Sequence, residues 1–198
     1  MAISIDDIKK LKELTGVGLT DAKKALADSS GDFDKALAAM RKKGLTKAEK
    51  KGDRETREGI IESYVHSDRI GVIVEVNCET DFVARLPEFK EFAHKIAMQI
   101  AAMSPKYATL EDIPGDIYEA KKQELLASDG LKAKPEKMRE SIVEGQLKKH
   151  FAEQVLYEQA FVLDDSMTVE QLVKERIALS GENVRVSQFR RIELGITE

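Results

Sequence analysis

The sequence predicts an α+β protein, with an N-terminal three-helix bundle followed by a core in which helices cover a three-stranded antiparallel sheet. Three observations predict it. Apolar residues recur at helical spacing through the first 44 residues. The period then switches to two over residues 59–78. A further strand-like run, 184–194, arrives only after more than a hundred intervening residues, so the C-terminal end closes the sheet.

Ser4 followed by Asp7 has the form of a capping box, with Ile3 and Ile8 as a hydrophobic staple, so the first helix starts at Ile5. Ile5, Ile8, Leu11 and Leu14 lie on one face that must pack, and Thr15-Gly16-Val17-Gly18 breaks the pattern. Thr20 is placed to cap a second helix carrying Ala22, Ala25 and Leu26. Asp32 caps a third carrying Phe33, Ala36, Leu37 and Met40, with a stop expected at Gly44. The bundle therefore occupies residues 1–44.

Residues 45–58, LTKAEKKGDRETRE, have too few apolar positions to bury a face and read as a charged, solvated linker or helix. The core, 59–198, begins with strands at 59–66 and 69–78, where Ile70, Val72, Val74 and Val76 alternate with Gly71, Ile73, Glu75 and Asn77. Ser67-Asp68 turns the hairpin. Helices are expected at 87–103, 116–128 and 135–157, each covering the sheet with one face. Thr168 and Gln171 repeat the capping-box pattern, stapled by Met167 and Leu172, before a helix that stops at Gly181.

Composition narrows the function. The 198 residues are 42% hydrophobic and 34% charged, with 32 basic and 36 acidic residues interspersed for a formal net charge of -4. No broad basic face for a phosphate backbone emerges, so nucleic acid is not an expected partner. A single cysteine, Cys78, and three scattered histidines make neither an intramolecular disulfide nor a metal site. The N-terminus lacks a signal-peptide apolar region and no run reaches the ~20 apolar residues of a membrane span, so a reducing cytoplasm and no membrane are expected.

Catalytic constellations are equally sparse, and neither an enzyme nor a cofactor is expected. Gly16-Val17-Gly18 begins like a dinucleotide fingerprint, but Asp21 stands where a third glycine belongs and no strand precedes it, so it reads as a helix-helix turn. Cys78 and His66 make a nucleophile-base pair only if the hairpin brings them together, and no glycine-rich oxyanion loop accompanies them. Glu75, Glu79 and Asp81 oppose thiolate activation of Cys78. His94 and His150 stand alone in helical patterns and read as structural or surface residues.

Two segments carry a family resemblance. Residues 11–26, LKELTGVGLTDAKKAL, resemble the N-terminal signature of elongation factor Ts, and residues 75–85, EVNCETDFVAR, resemble the family's other signature around Thr-Asp-Phe-Val. Similar family sequence appears in HSDRIGVIVEVN (66–77), KPEKMRESIVEGQLKKHFAE (134–153), QAFV (159–162) and GENVRVSQFRRIELG (181–195). The helix FKEFAHKIAMQIAAMSP follows directly after the Phe82 motif, without a second core half or inserted coiled coil, as in the family's short form.

The resemblance implies a ubiquitin-associated-like N-terminal bundle and a guanine-nucleotide exchange factor that acts on elongation factor Tu in translation. It implies that Asp81 and Phe82, flanked by Thr80 and Val83, approach the GTPase near its Mg²⁺ site. The N-terminal turn, with Val17, Gly18 and Leu19, would hold the same domain from another side, and His66 is a further candidate contact. Read without the motif, Phe82 is core, Asp81 caps the following turn, and Val17 and Leu19 belong to the bundle core. A tethering adaptor without exchange activity, and an enzyme using Cys78, are the alternative functions. A three-stranded sheet leaves a face and edges uncovered, which predicts a homodimer through the cores and a complex with two copies of each protein.

Overall fold

The computed structural model describes residues 3–128 and 136–196. Helix α1 (Ile5–Thr15) begins at the Ser4 cap, whose hydroxyl accepts from the Asp6 amide at 3.1 Å, and ends at Gly16 in the left-handed conformation. Helix α2 (Leu19–Asp28) is capped by Gly18 rather than Thr20, so Thr20 lies inside its first turn. Helix α3 (Phe33–Glu49) is capped by Asp32 as expected. The three pack around Leu11, Ala22, Leu26, Ala36 and Met40, with Ile3 and Ile8 partly buried against that cluster. Ile5 does not join them. It is 70% exposed, and Leu14 is also exposed, because the buried stripe of α1 turns through Ile8, Leu11 and Thr15.

Helix α3 does not stop at Gly44. A Cβ on Gly44 would stand 3.2 Å from the Ala178 Cβ, so this glycine permits close approach to a later helix rather than ending its own. Helix α3 continues to Glu49 and buries Ala48 in the main core.

Strands β1 (Glu58–His66) and β2 (Ile70–Cys78) form the hairpin, and both Ser67 and Asp68 have positive φ, the conformation of a two-residue turn matched to strand twist. A four-residue helix α4 (Asp81–Ala84) and the long α5 (Pro87–Met103) follow, with Pro87 at the first turn of α5. Helices α6 (Gly115–Leu126) and α7 (Glu136–Phe151) come next, then the small β3 (Ala160–Phe161) and β4 (Asp164–Thr168), which the alternation pattern did not reveal. Helix α8 (Val169–Ser180) starts at the Thr168–Gln171 capping box and ends at Gly181, and β5 (Val184–Glu193) completes the chain's main sheet.

The sheet order is β1-β2-β5, antiparallel throughout. Val72, Val74 and Val76 point inward onto Phe89, Phe92, Ile96 and Ile100 of α5 and Val169, Val173 and Ile177 of α8. Each such side chain contributes about 1.5–3 kcal/mol on burial. Helices α6 and α7 depart from expectation. They pack on each other around Ile113, Val143, Leu147 and Phe151, forming a pair with its own core instead of covering the sheet. Helix α7 ends at Phe151, short of 157, because the backbone from Gln154 to Tyr157 pairs with Lys106, Tyr107 and Ala108 instead. Residue 135, the expected start of that helix, lies outside the described residues.

Candidate functional site

The end of β2 carries the second motif, and its backbone turns sharply after Cys78 into α4. Thr80 caps that helix: its hydroxyl accepts from the Val83 amide at 3.5 Å. Asp81, the alternative cap, instead pairs with Arg85 one turn later at 2.8 Å. Inward, Val83 is 8% exposed and Ala84 5%, so α4 is anchored to the core by these two residues. Outward, Phe82 is 79% exposed. The reading of Phe82 as core is therefore incorrect. Phe82 directly precedes the inward pair Val83–Ala84 on the same helical turn, so with those two side chains on the core the ring points to solvent.

Residues from the far end of the chain fix this turn. The Glu182 carboxylate accepts from the Glu79 amide (3.1 Å), the Thr80 amide (3.0 Å) and the Thr80 hydroxyl (2.6 Å). Reciprocally, the Glu79 carboxylate accepts from the Asn183 amide (2.6 Å) and from Arg54 (3.5 Å). The Asn183 side chain donates to the carbonyls of Gly52 (3.0 Å) and Arg54 (2.7 Å), and Lys51 donates to the Gly181 carbonyl. Among these, the bonds to the Glu182 and Glu79 carboxylates are charge-assisted, a class that contributes about 1.5–3 kcal/mol each. Sequence reading had no local signal for Glu182 or Asn183, because their partners lie about a hundred residues away.

At the N-terminal turn, Gly16 and Gly18 end α1 and cap α2, in agreement with a helix-helix turn. Leu19 is exposed and Val17 is half-buried against the bundle core, so the turn offers Gly18 and Leu19 to the surface more than Val17. His66 stands exposed at the hairpin end of β1, with its Nδ1 2.9 Å from the Tyr64 hydroxyl. It is remote from Cys78: Cys78 pairs with Glu58 and His66 with Ile70, which places them at opposite ends of the hairpin, about 26 Å apart at strand rise.

Cys78 is buried, and burial, reinforced by the Glu182 charge, pushes its thiol up to about 11. A thiol so held is no nucleophile at neutral pH. His94 is likewise occupied, its Nδ1 2.9 Å from a Glu62 oxygen, and His150 packs edge-on against Phe151. No His, Cys, Asp and Glu side chains among the described residues group as a metal site, and no helix among them is long and apolar enough to cross a membrane.

The family model for elongation factor TS matches residues 18–196. The chain is 53% identical over 196 residues to elongation factor Ts of Thermotoga neapolitana and equally to that of Thermotoga maritima, covering 98% of each chain in both pairs. It is 50% identical over 195 residues to the chloroplastic elongation factor Ts of Rhodomonas salina, covering 98% of this chain and 89% of that one. A match of this extent, over nearly the whole chain and including the turn that carries Phe82, shows that the chain belongs to the elongation factor Ts family.

Proposed function

We propose that this chain is a guanine-nucleotide exchange factor that binds GDP-loaded elongation factor Tu during translation elongation and promotes release of the nucleotide. The observation that carries this reading is Phe82, an aromatic side chain 79% exposed on a short helix whose base is anchored in the core. Burying such a ring in a partner pocket is worth about 1.5–3 kcal/mol, enough for a tenfold or greater effect on affinity.

Mg²⁺ bridges the nucleotide β-phosphate to a GTPase and neutralises charge, so displacing its ligands or the phosphate loop weakens GDP binding. Phe82 acts as a wedge beside that site, with Asp81 next to it, while Thr80 and Val83 set the turn and Gly18, Leu19 and Val17 hold the partner from the ubiquitin-associated-like bundle. Linkage makes the effects mutual: a factor that lowers GDP affinity has its own affinity lowered by GDP equally, tenfold for each ~1.4 kcal/mol of coupling.

The sheet supports a homodimer and a complex with two copies of each protein. Ile61, Val65, Ile73 and Ile192 are exposed on the face opposite α5; in the register Gly71 lies between Val65 and Ile192, Ile73 lies between Ser63 and Arg190 on the next row, and Ile61 opposite Glu75 on the row after that. An apolar patch of this kind marks an interface, and a second copy of the same face covers it with two-fold symmetry.

The test is release of fluorescent GDP from purified elongation factor Tu with Mg²⁺ present, comparing this protein, its Phe82→Ala variant and buffer. Acceleration by the wild type and loss of most of it in a folded Phe82→Ala variant is the expected result. Equal acceleration by both removes the wedge, and no acceleration by either favours the tethering adaptor.

A further inference from the structure

We infer that Glu182 is a positioning residue for Phe82, its carboxylate setting the turn that presents the ring. The inference rests on the reading of Phe82 as the exchange wedge.

The β2–β5 ladder ends at the pair Cys78–Val184, so the strands are already joined without Glu182. What the carboxylate grips lies beyond that last pair: the amides of Glu79 and Thr80 and the Thr80 hydroxyl. Thr80 is the cap of α4, and α4 has only four residues, too few to hold a helical turn by its own hydrogen bonds. The orientation of Phe82, the second of those four, therefore depends on where residues 79 and 80 are held.

A carboxylate suits the task because it is acceptor-only. Its two oxygens meet three donors, with Oε2 taking both consecutive amides and Oε1 the hydroxyl. A glutamine of the same shape keeps one acceptor oxygen for the two amides and turns its NH₂ group toward the Thr80 hydroxyl, which must then accept instead of donate, and the charge that strengthens all three bonds is lost. The neighbouring Asn183 side chain binds the carbonyls of Gly52 and Arg54, just past α3. One short segment thus fixes both the Phe82 turn and the chain leaving the N-terminal bundle, and with them the spacing between the two elements proposed to grip the partner.

The test uses the full chain with Glu182→Gln, Glu182→Asp and Phe82→Ala, measuring GDP release from elongation factor Tu over a range of factor concentrations. In parallel, NMR hydrogen exchange reads the amides of Glu79 and Thr80. Glu182→Gln is expected to lower the maximal rate about tenfold with half-saturation changed less than about twofold. The Glu79 and Thr80 amides exchange faster while those of β2 stay protected, and Glu182→Asp, which keeps the charge, recovers part of the rate. A folded Glu182→Gln variant that matches wild type while Phe82→Ala is inactive overturns the inference. Should Glu182→Gln fail to fold, Glu182→Asp decides: faster exchange of the two amides with an unchanged maximal rate overturns it equally. If Phe82→Ala releases GDP as fast as wild type, the wedge reading falls and this inference falls with it.

Discussion

Gly16 lies against Leu179: a Cβ built on Gly16 would stand 2.9 Å from both the Leu179 Cα and its Cδ2. This glycine, at φ 65°, ends α1 while lying against α8, so at this position the N-terminal turn leaves no room for a side chain. Gly16→Ala adds the left-handed strain of a non-glycine residue, about 1–2 kcal/mol, to overpacking of about 1–3 kcal/mol. Urea unfolding is expected to show a loss of at least about 2 kcal/mol. Gly115→Ala, at the start of α6 with open space around it, is the control and is expected to be neutral or slightly stabilising.

Gln99 is fully buried in α5 and holds three other groups. Its Nε2 donates to the Gln159 side-chain oxygen (3.0 Å) and the Ala160 carbonyl (3.1 Å), and its Oε1 accepts from the Val162 amide (2.8 Å). Gln99→Leu keeps the volume and strands all three partners. The expected destabilisation is about 2–3 kcal/mol, read as a lower unfolding midpoint at unchanged urea dependence. The β3–β4 hairpin, which begins at Ala160, is where amide exchange should accelerate first.

Much of this architecture was legible because it is local. The alternation at Val72, Val74 and Val76 encodes an inward face, Pro87 marks a helix start, and Ser4, Asp32 and Thr168 each cap the helix they precede. The rest depends on distant partners. Gly44 is chemically the same residue as a helix stop, and only Ala178 across the bundle-core contact makes it a close-approach position inside α3. The mutual packing of α6 and α7 cannot be told from sheet-covering helices by period, since either burial yields one apolar stripe. The Thr-Asp-Phe-Val stretch could be singled out by resemblance, but whether Phe82 points in or out depends on how α4 sits, with Val83 and Ala84 buried. Glu182 was invisible in its role because an acidic residue after a helix-ending glycine looks like an ordinary solvated turn.

The thiol of Cys78 should be inert in the folded protein. Its pKa is raised from an ordinary 9.0 to about 11, first by burial and then by Glu182. Two units leave about a hundredfold less thiolate at neutral pH, before access is considered. The folded form favours the protonated thiol, so this contribution to stability is full below pH 9 and is lost as pH rises from about 9 through about 11. Iodoacetamide at pH 7.5 is expected to modify native protein at least about a hundred times more slowly than urea-unfolded protein, by mass spectrometry. Comparable rates in the two states would mean that the end of β2 opens readily, contrary to the hydrogen bonds that hold it.

A charge in the middle of the exposed sheet face tests the proposed dimer. Ile73 sits on the central strand, opposite Ser63 of β1 and Arg190 of β5, and is 57% exposed in the single chain. In a lone chain a lysine there remains solvated and costs little, since strand propensity differences span only about 1 kcal/mol. In a two-fold interface the same lysine appears twice near the centre, where two like charges are desolvated together. Sedimentation at micromolar concentration is therefore expected to give twice the 22.1 kDa chain mass for the wild type and a single chain mass for Ile73→Lys, with the thermal unfolding of the isolated variant little changed. A wild type that sediments as one chain removes the dimer, whereas an Ile73→Lys variant that still pairs moves the interface to another face. Comparing GDP release at equal chain concentration then separates assembly from exchange: if Phe82 acts within one chain, monomeric Ile73→Lys retains the acceleration that Phe82→Ala loses.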